Sequence, residues 1–333
     1  MKTNLLAFLI SLLVALLLSP LVVFLSKKLK ASQTILEYVK EHQSKSSTPT
    51  LGGIIFIVAS FVSLCFFNAN YTLAILSLAV MLGYGILGFL DDFIKIKFKQ
   101  NLGLKPYQKI IGQVGIAAIV AVFCYNSGLV GTNVYLPFVK TTINLGWGII
   151  PFIIFIYLAV TNAVNLTDGL DGLASGVSIA YLLGFILVLT IYQNLTVGAV
   201  YDEYQNIIIL CFCLIGAIFG FLFQNVYPAK IFMGDTGSLA LGGVIASIAI
   251  FTKLELFIPF LGIMFVLSAV SVILQVLHFK RTKKRIFKMA PIHHHFQMSG
   301  VNENRITFVY ILITLAFSAA TVLICMFASG MWI

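Results

Sequence analysis

Phe89-Leu90-Asp91-Asp92-Phe93-Ile94-Lys95 decides how the chain is read. Two adjacent carboxylates and a lysine stand where an apolar run of about 20 residues, the length that crosses a bilayer core, gives way to a basic segment. A carboxylate at a membrane edge can bind a cation, take a proton or attack phosphorus, so the question is which other residues meet it there.

The 333 residues are 60% hydrophobic and only 10% charged, with mean hydropathy +1.04, which excludes a soluble globular class. The expected fold is an all-α polytopic membrane protein, one integral membrane domain over 1–333. Apolar runs of spanning length fall at 5–26, 51–68, 71–90, 110–127, 147–163, 174–192, 205–224, 238–251, 256–279 and 307–329, predicting ten transmembrane helices. The first run is too long for a signal-peptide core, lacks a small-residue exit and is followed by Lys27, Lys28 and Lys30, so it reads as a retained helix.

An excess of 21 Lys+Arg over 11 Asp+Glu would suggest nucleic acid in a soluble domain; here it is read against the bilayer, with no nucleic-acid partner. With the N terminus outside, links 27–50, 91–109, 164–173, 225–237 and 280–306 share one side and carry 18 of those 21 cations. That imbalance puts both termini outside and the five loops in the cytoplasm. On the other side, 133–137 and 141–145 could pair as a small periplasmic β-hairpin. Cys65, Cys124, Cys211, Cys213 and Cys325 lie in apolar runs without metal spacing and read as buried free thiols.

Every aspartate except Asp202 falls on the cytoplasmic side, five of them abutting apolar helices. Helix-dipole complementation covers one or two, but not five across three loops. In the first loop, Lys45 precedes Thr48-Pro49-Thr50-Leu51-Gly52-Gly53, a turn into a helix whose first amides and threonine hydroxyls could receive an anion. Lys95 is i+4 from Asp91 and i+3 from Asp92, whereas the two aspartates point about 100° apart, so they need not do the same job. Lys97, Lys99, Lys105 and Lys109 could hold phosphates or anchor to anionic lipid, and Lys109 opens the next helix.

Asn165, Asp168 and Asp171 recur every third residue, so a helical turn would stack them on one face as partners for a uracil ring or ribose hydroxyls. Asp235 with Asp91 or Asp92 could offer the oxygen ligands that Mg²⁺ prefers. Phe232, in a polar setting, could stack a base or pack against a helix. His293, His294 and His295 diverge too much for a zinc site but suit donation to diphosphate or sugar oxygens.

Together, TPTLGG (48–53), DDFIK (91–95), NLTDGLDGLA (165–174), NVYPAKIFMGDTGS (225–238), SVILQV (271–276) and MAPIHHHF (289–296) resemble, nearly end to end and in order, the phospho-N-acetylmuramoyl-pentapeptide transferases. These belong to the polyprenyl-phosphate N-acetylhexosamine-1-phosphate transferase superfamily, and PIHHHF separates them from the N-acetylglucosamine-phosphate relatives. The resemblance implies ten transmembrane helices, a homodimer in the bacterial inner membrane, and Mg²⁺. It also implies transfer of phospho-MurNAc-pentapeptide from UDP-MurNAc-pentapeptide to undecaprenyl phosphate, giving lipid I and UMP. Asp91 then matches the base for the lipid phosphate or a covalent nucleophile, Asp92 its partner, and Asp235 the Mg²⁺ ligand. Lys45, Asn165, Asp168, Asp171 and Phe232 match the nucleoside pocket; Lys95, Lys109, His293 and His294, with His295 beside them, fall near phosphates or sugar. Two other readings stand beside this one: a polyprenyl-phosphate GlcNAc-1-phosphate transferase, and an ion-coupled transporter, whose sites should lie near the midplane.

Overall fold

The computed structural model describes residues 2–29, 48–67, 72–98, 103–139 and 141–329. The chain is a helical bundle with long apolar helices α1 (Lys2–Lys28), α3 (Thr72–Phe98), α4 (Pro106–Asn126), α5 (Ile149–Thr167), α6 (Leu173–Gln193), α7 (Ala199–Asn225), α8 (Gly234–Phe251), α10 (Ile263–Thr282) and α12 (Glu303–Ser329). Shorter helices are α2 (Gly53–Leu64), α9 (Ile258–Leu261) and α11 (Ile292–Gln297). Among the described residues nine helices are long and apolar enough to cross a membrane, so the chain is a multi-pass membrane protein. The remaining expected span is α2, whose 12 residues rise about 18 Å against a hydrocarbon core of about 30 Å.

Without a hydrophobic drive between helices in lipid, close approach of backbones holds such a bundle, and glycines make it possible. α8 is the centre: 94% of its apolar window is buried, against 17% for α1 and 22% for α10 and α12, which form the periphery. A Cβ on Gly88 of α3 would run into the Asp235 backbone, one on Gly242 of α8 would stand 2.6 Å from Thr161 Cα of α5, and one on Gly53 of α2 would strike Gly237. Three helices therefore touch α8 backbone to backbone, two of them near its N terminus. That end of the bundle gathers the N termini of α2, α4 and α8 and the C termini of α3 and α5.

The loop between α4 and α5 holds the expected hairpin: β1 (Asn133–Tyr135) pairs antiparallel with β2 (Thr142–Asn144), Val134 opposite Ile143. The run expected over 256–279 is not one helix: it breaks at Gly262 (φ −108°, ψ 38°), which separates α9 from α10. Cys124, Cys211, Cys213 and Cys325 are buried, but Cys65, just past α2, is exposed. An apolar run alone does not distinguish a face turned to the bundle from one turned outward.

Candidate active site

α3 brings Asp91, Asp92 and Lys95 to the same end as Asp235, because the α3–α8 crossing at Gly88 leaves no room for side chains and presses the next turn of α3 under the first turn of α8. Asp91 is 3% exposed and Asp92 0%. Lys95 Nζ bridges two carboxylates, 2.6 Å from Asp91 Oδ2 and 2.8 Å from Asp235 Oδ2. Lys109, in the first turn of α4, adds a second ammonium 3.0 Å from Asp235 Oδ2. The Leu104 amide donates to Asp91 Oδ1 at 2.8 Å. Asp235 Oδ1 accepts from Asn165 Nδ2 of α5 at 2.6 Å, and the same amide nitrogen reaches Ser238 Oγ at 2.7 Å. Asp92 accepts from the first turn of α8: Thr236 N at 2.9 Å and Thr236 Oγ1 at 2.7 Å on Oδ2, and Asp235 N at 3.3 Å on Oδ1.

The segment before α2 lies alongside Phe232 and Met233. Phe232 N donates to Pro49 O at 2.8 Å, while Gly52 N and Gly53 N donate to Phe232 O and Met233 O at 2.9 and 3.0 Å. These amides are therefore engaged by backbone carbonyls and are not the expected anion cradle. Their partners instead pin Phe232, partly buried, at the edge of the aspartate cluster. Lys45 lies outside the described residues.

The expected face of Asn165, Asp168 and Asp171 does not form. α5 ends at Thr167, Asp168 has left helical geometry (φ −78°, ψ 50°), and Gly172 takes φ +72°, so only Asn165 is presented by the helix. Asp171 is buried and serves the neighbouring loop: its Oδ2 accepts Ala229 N at 2.9 Å, and its own amide donates to Glu303 Oε1 at 2.7 Å. Asp168 stays with the acidic cluster. Burial first, then repulsion from Asp235, Asp92 and Asp171, pushes its carboxyl up to about 8.

The three histidines part company. A Cβ on Gly169 would run into His293 Nε2 and stand 2.9 Å from His294 Nε2, so these two rings close over the loop after α5. His293 is 0% exposed, and burial, helped by His294, holds its pKa well below the usual histidine range. Neither of its ring nitrogens has a hydrogen-bond partner among the described residues. His295 Nδ1 accepts Lys288 N at 3.1 Å and so braces the preceding loop.

Asp91, Asp92 and Asp235 each bring a carboxylate oxygen within 4.8 Å of the others, and the cluster could hold a metal ion. An all-oxygen donor set suits a hard divalent cation. These carboxylates stand at helix ends, at one end of the bundle, and not midway along discontinuous helices as a coupled transporter would place them. Sequence reading missed Thr236, which binds Asp92 twice, Ser238 and Glu303. The only sequence signal for the first two was their place in the GDTGS stretch.

A family model described as glycosyl transferase family 4 matches residues 73–253, the stretch from α3 to the end of α8 that carries most of this cluster. Curated relatives named phospho-N-acetylmuramoyl-pentapeptide-transferase match far more of the chain. One from Thermoanaerobacter sp. (strain X514) is 48% identical over 298 residues, 89% of this chain and 90% of its own length. One from Clostridium kluyveri is 45% identical over 308 residues (92% and 94%), and one from Geobacillus sp. (strain WCH70) 44% over 318 (94% and 95%). Aspartates, lysines and an asparagine converging at one end of a membrane-spanning helical bundle, together with these matches, establish that the chain belongs to glycosyl transferase family 4, as a transferase of the phospho-N-acetylmuramoyl-pentapeptide-transferase group.

Proposed function

We propose that this enzyme transfers phospho-MurNAc-pentapeptide from UDP-MurNAc-pentapeptide to undecaprenyl phosphate, releasing UMP and leaving lipid I, in a Mg²⁺-dependent reaction of peptidoglycan synthesis. The observation that carries the reading is the meeting of Asp91, Lys95, Lys109 and Asn165 around Asp235. Displacement at a diphosphate needs charge neutralisation and in-line positioning more than covalent machinery, and this cluster is built for both. Asp91 is the proton acceptor for the attacking lipid phosphate. Lys95 and Lys109 orient and neutralise the phosphates, Asn165 fixes Asp235, and Phe232 with Asp168 receives the nucleoside. His293 and His294 take sugar or phosphate oxygens. Asp235 would hold a Mg²⁺, which when bound would supply further neutralisation at the diphosphate.

The acceptor's chain has a route. α10 is mostly exposed, and between it, α11 and α12 lies a cavity of about 290 Å³ lined by Met264, Leu267, Ile292, Phe296, Val309 and Tyr310. Tyr310 stacks edge-on at 6.2 Å from His293, so the apolar wall leads toward the site. We assign it to the polyprenyl chain; Leu267→Gln should raise the KM for the lipid, and an unchanged KM removes the assignment. The lysine-rich end is the cytoplasmic face on charge grounds, and the resemblance favours the bacterial inner membrane and a homodimer. The closest competing substrate is UDP-GlcNAc, and the His293-His294-His295 run speaks for the muramoyl sugar. Assaying both UDP-sugars side by side tests this: UMP release from UDP-GlcNAc alone overturns the choice of sugar.

A further inference from the structure

Asp92 sits in the aspartate cluster, yet both of its oxygens face another helix's first turn. Oδ2 receives the Thr236 amide and hydroxyl, and Oδ1 receives the Asp235 amide. The residue is wholly buried. α8 has no side-chain cap from its own N-cap residue, Met233, although the first amides of a buried helix need acceptors and its dipole favours a negative group there. Asp92 supplies both from α3. The fit is built in: Gly234, at φ +71°, turns the chain so that the amides of 235 and 236 aim at the carboxylate, and a Cβ on Gly234 would stand 2.6 Å from Asp92 Oδ2. The Asp235 carboxylate, by contrast, meets the side chains of Lys95, Lys109 and Asn165.

We infer that Asp92 is a positioning residue: it clamps the N terminus of α8 through Thr236 and so fixes the aim of the Asp235 carboxylate, leaving Asp91 and Asp235 to face the reacting groups. The divergence of adjacent side chains on a helix makes this division of labour possible. The inference rests on the proposed metal site where Mn²⁺ affinity is the readout and on the proposed transfer where turnover is; the thermal midpoint depends on neither.

The test uses the full-length protein in detergent, as wild type, Thr236→Val, Thr236→Ser, Asp92→Asn and the Asp92→Asn/Thr236→Val double variant. Mn²⁺ affinity is read by electron paramagnetic resonance without substrate, alongside kcat for UMP release and the thermal midpoint. Removing one charge-assisted hydrogen bond from a buried carboxylate should weaken Mn²⁺ binding and lower kcat by about 10-fold or more in Thr236→Val. Thr236→Ser, which keeps the hydroxyl, should restore both to within about 3-fold, and adding Thr236→Val to Asp92→Asn should cost no more than about 2-fold further, because the hydroxyl contact that Thr236→Val removes is already weakened in Asp92→Asn. Should Thr236→Val not fold, Thr236→Ala carries the same expectation. Wild-type Mn²⁺ affinity and turnover in a folded Thr236 variant lacking the hydroxyl, with Asp92→Asn inactive, overturns the clamp, as do losses that multiply in the double variant. If the wild type releases no UMP while the Mn²⁺ pattern holds, the transfer reading fails and the clamp stands.

Discussion

Replacing Gly88 by alanine puts a methyl where α3 passes α8. The added carbon would stand 2.6 Å from Thr236 N and nearer still to the Asp235 carbonyl. Carbon needs about 3.5 Å from such atoms, so the helices must separate by at least about 1 Å, and no side-chain rotation can absorb a backbone clash. Overpacking of this kind costs about 1–3 kcal/mol of stability. The larger effect falls on Asp235, which moves with the first turn of α8 away from Lys95 and Lys109; about 1 Å of misplacement in a reacting constellation costs about 100-fold in rate. The control is on the same helix. A Cβ on Gly83 first meets the Ile116 side chain at 3.6 Å, an ordinary contact, so Gly83→Ala should stay within about 2-fold of wild type and gain up to about 1 kcal/mol in helix propensity. UMP release and the thermal midpoint of both variants, purified in the same detergent, make the comparison. Gly88→Ala turning over at the wild-type rate would refute the view that backbone contact at this crossing sets the site.

Asp91→Asn and Asp235→Asn should each reduce UMP release to background while the protein remains folded by circular dichroism; substantial turnover in either removes that residue from the chemistry. Phe232→Ala should weaken UDP-sugar binding by about 1–3 kcal/mol, the range for an aromatic that stacks a base; unchanged affinity in calorimetry returns the ring to packing. Asp168, lifted by burial to about 8, is protonated at pH 7 and ionises as pH rises through about 8, adding a negative charge beside Asp235 and Asp92. Activity should therefore fall on that limb in the wild type, and Asp168→Asn, neutral at every pH, should flatten it; a limb of the same shape in both assigns the fall to another group.

Much of this site is legible in one dimension because membrane chains separate their charges so strictly. Asp91, Lys95, Lys109, Asn165 and Asp235 stand out as polar residues at the ends of apolar runs, and the structure does gather them: Lys95, Lys109 and Asn165 all reach Asp235, and Lys95 also reaches Asp91. What is hidden is which polar group serves the fold. Asp171 and Asp168 are three residues apart in one motif, yet the first holds Ala229 N and the second stays with the cluster, because α5 ends at Thr167 and Gly172, at φ +72°, turns the chain into α6, so no helical period runs through both. His295 looks equivalent to His293 and His294 until the bond to Lys288 N is seen. The amides of Gly52 and Gly53 looked free for an anion, since a pairing with residues 180 positions away leaves no mark in sequence. α2 is shorter than its apolar run because hydropathy does not mark where a helix yields to a turn.

The most direct test of the central claim is UMP release by the purified protein with UDP-MurNAc-pentapeptide, undecaprenyl phosphate and Mg²⁺, each omitted in turn. Release that requires all three is the predicted result. No release with all three present, or release undiminished when the lipid is left out, would contradict it.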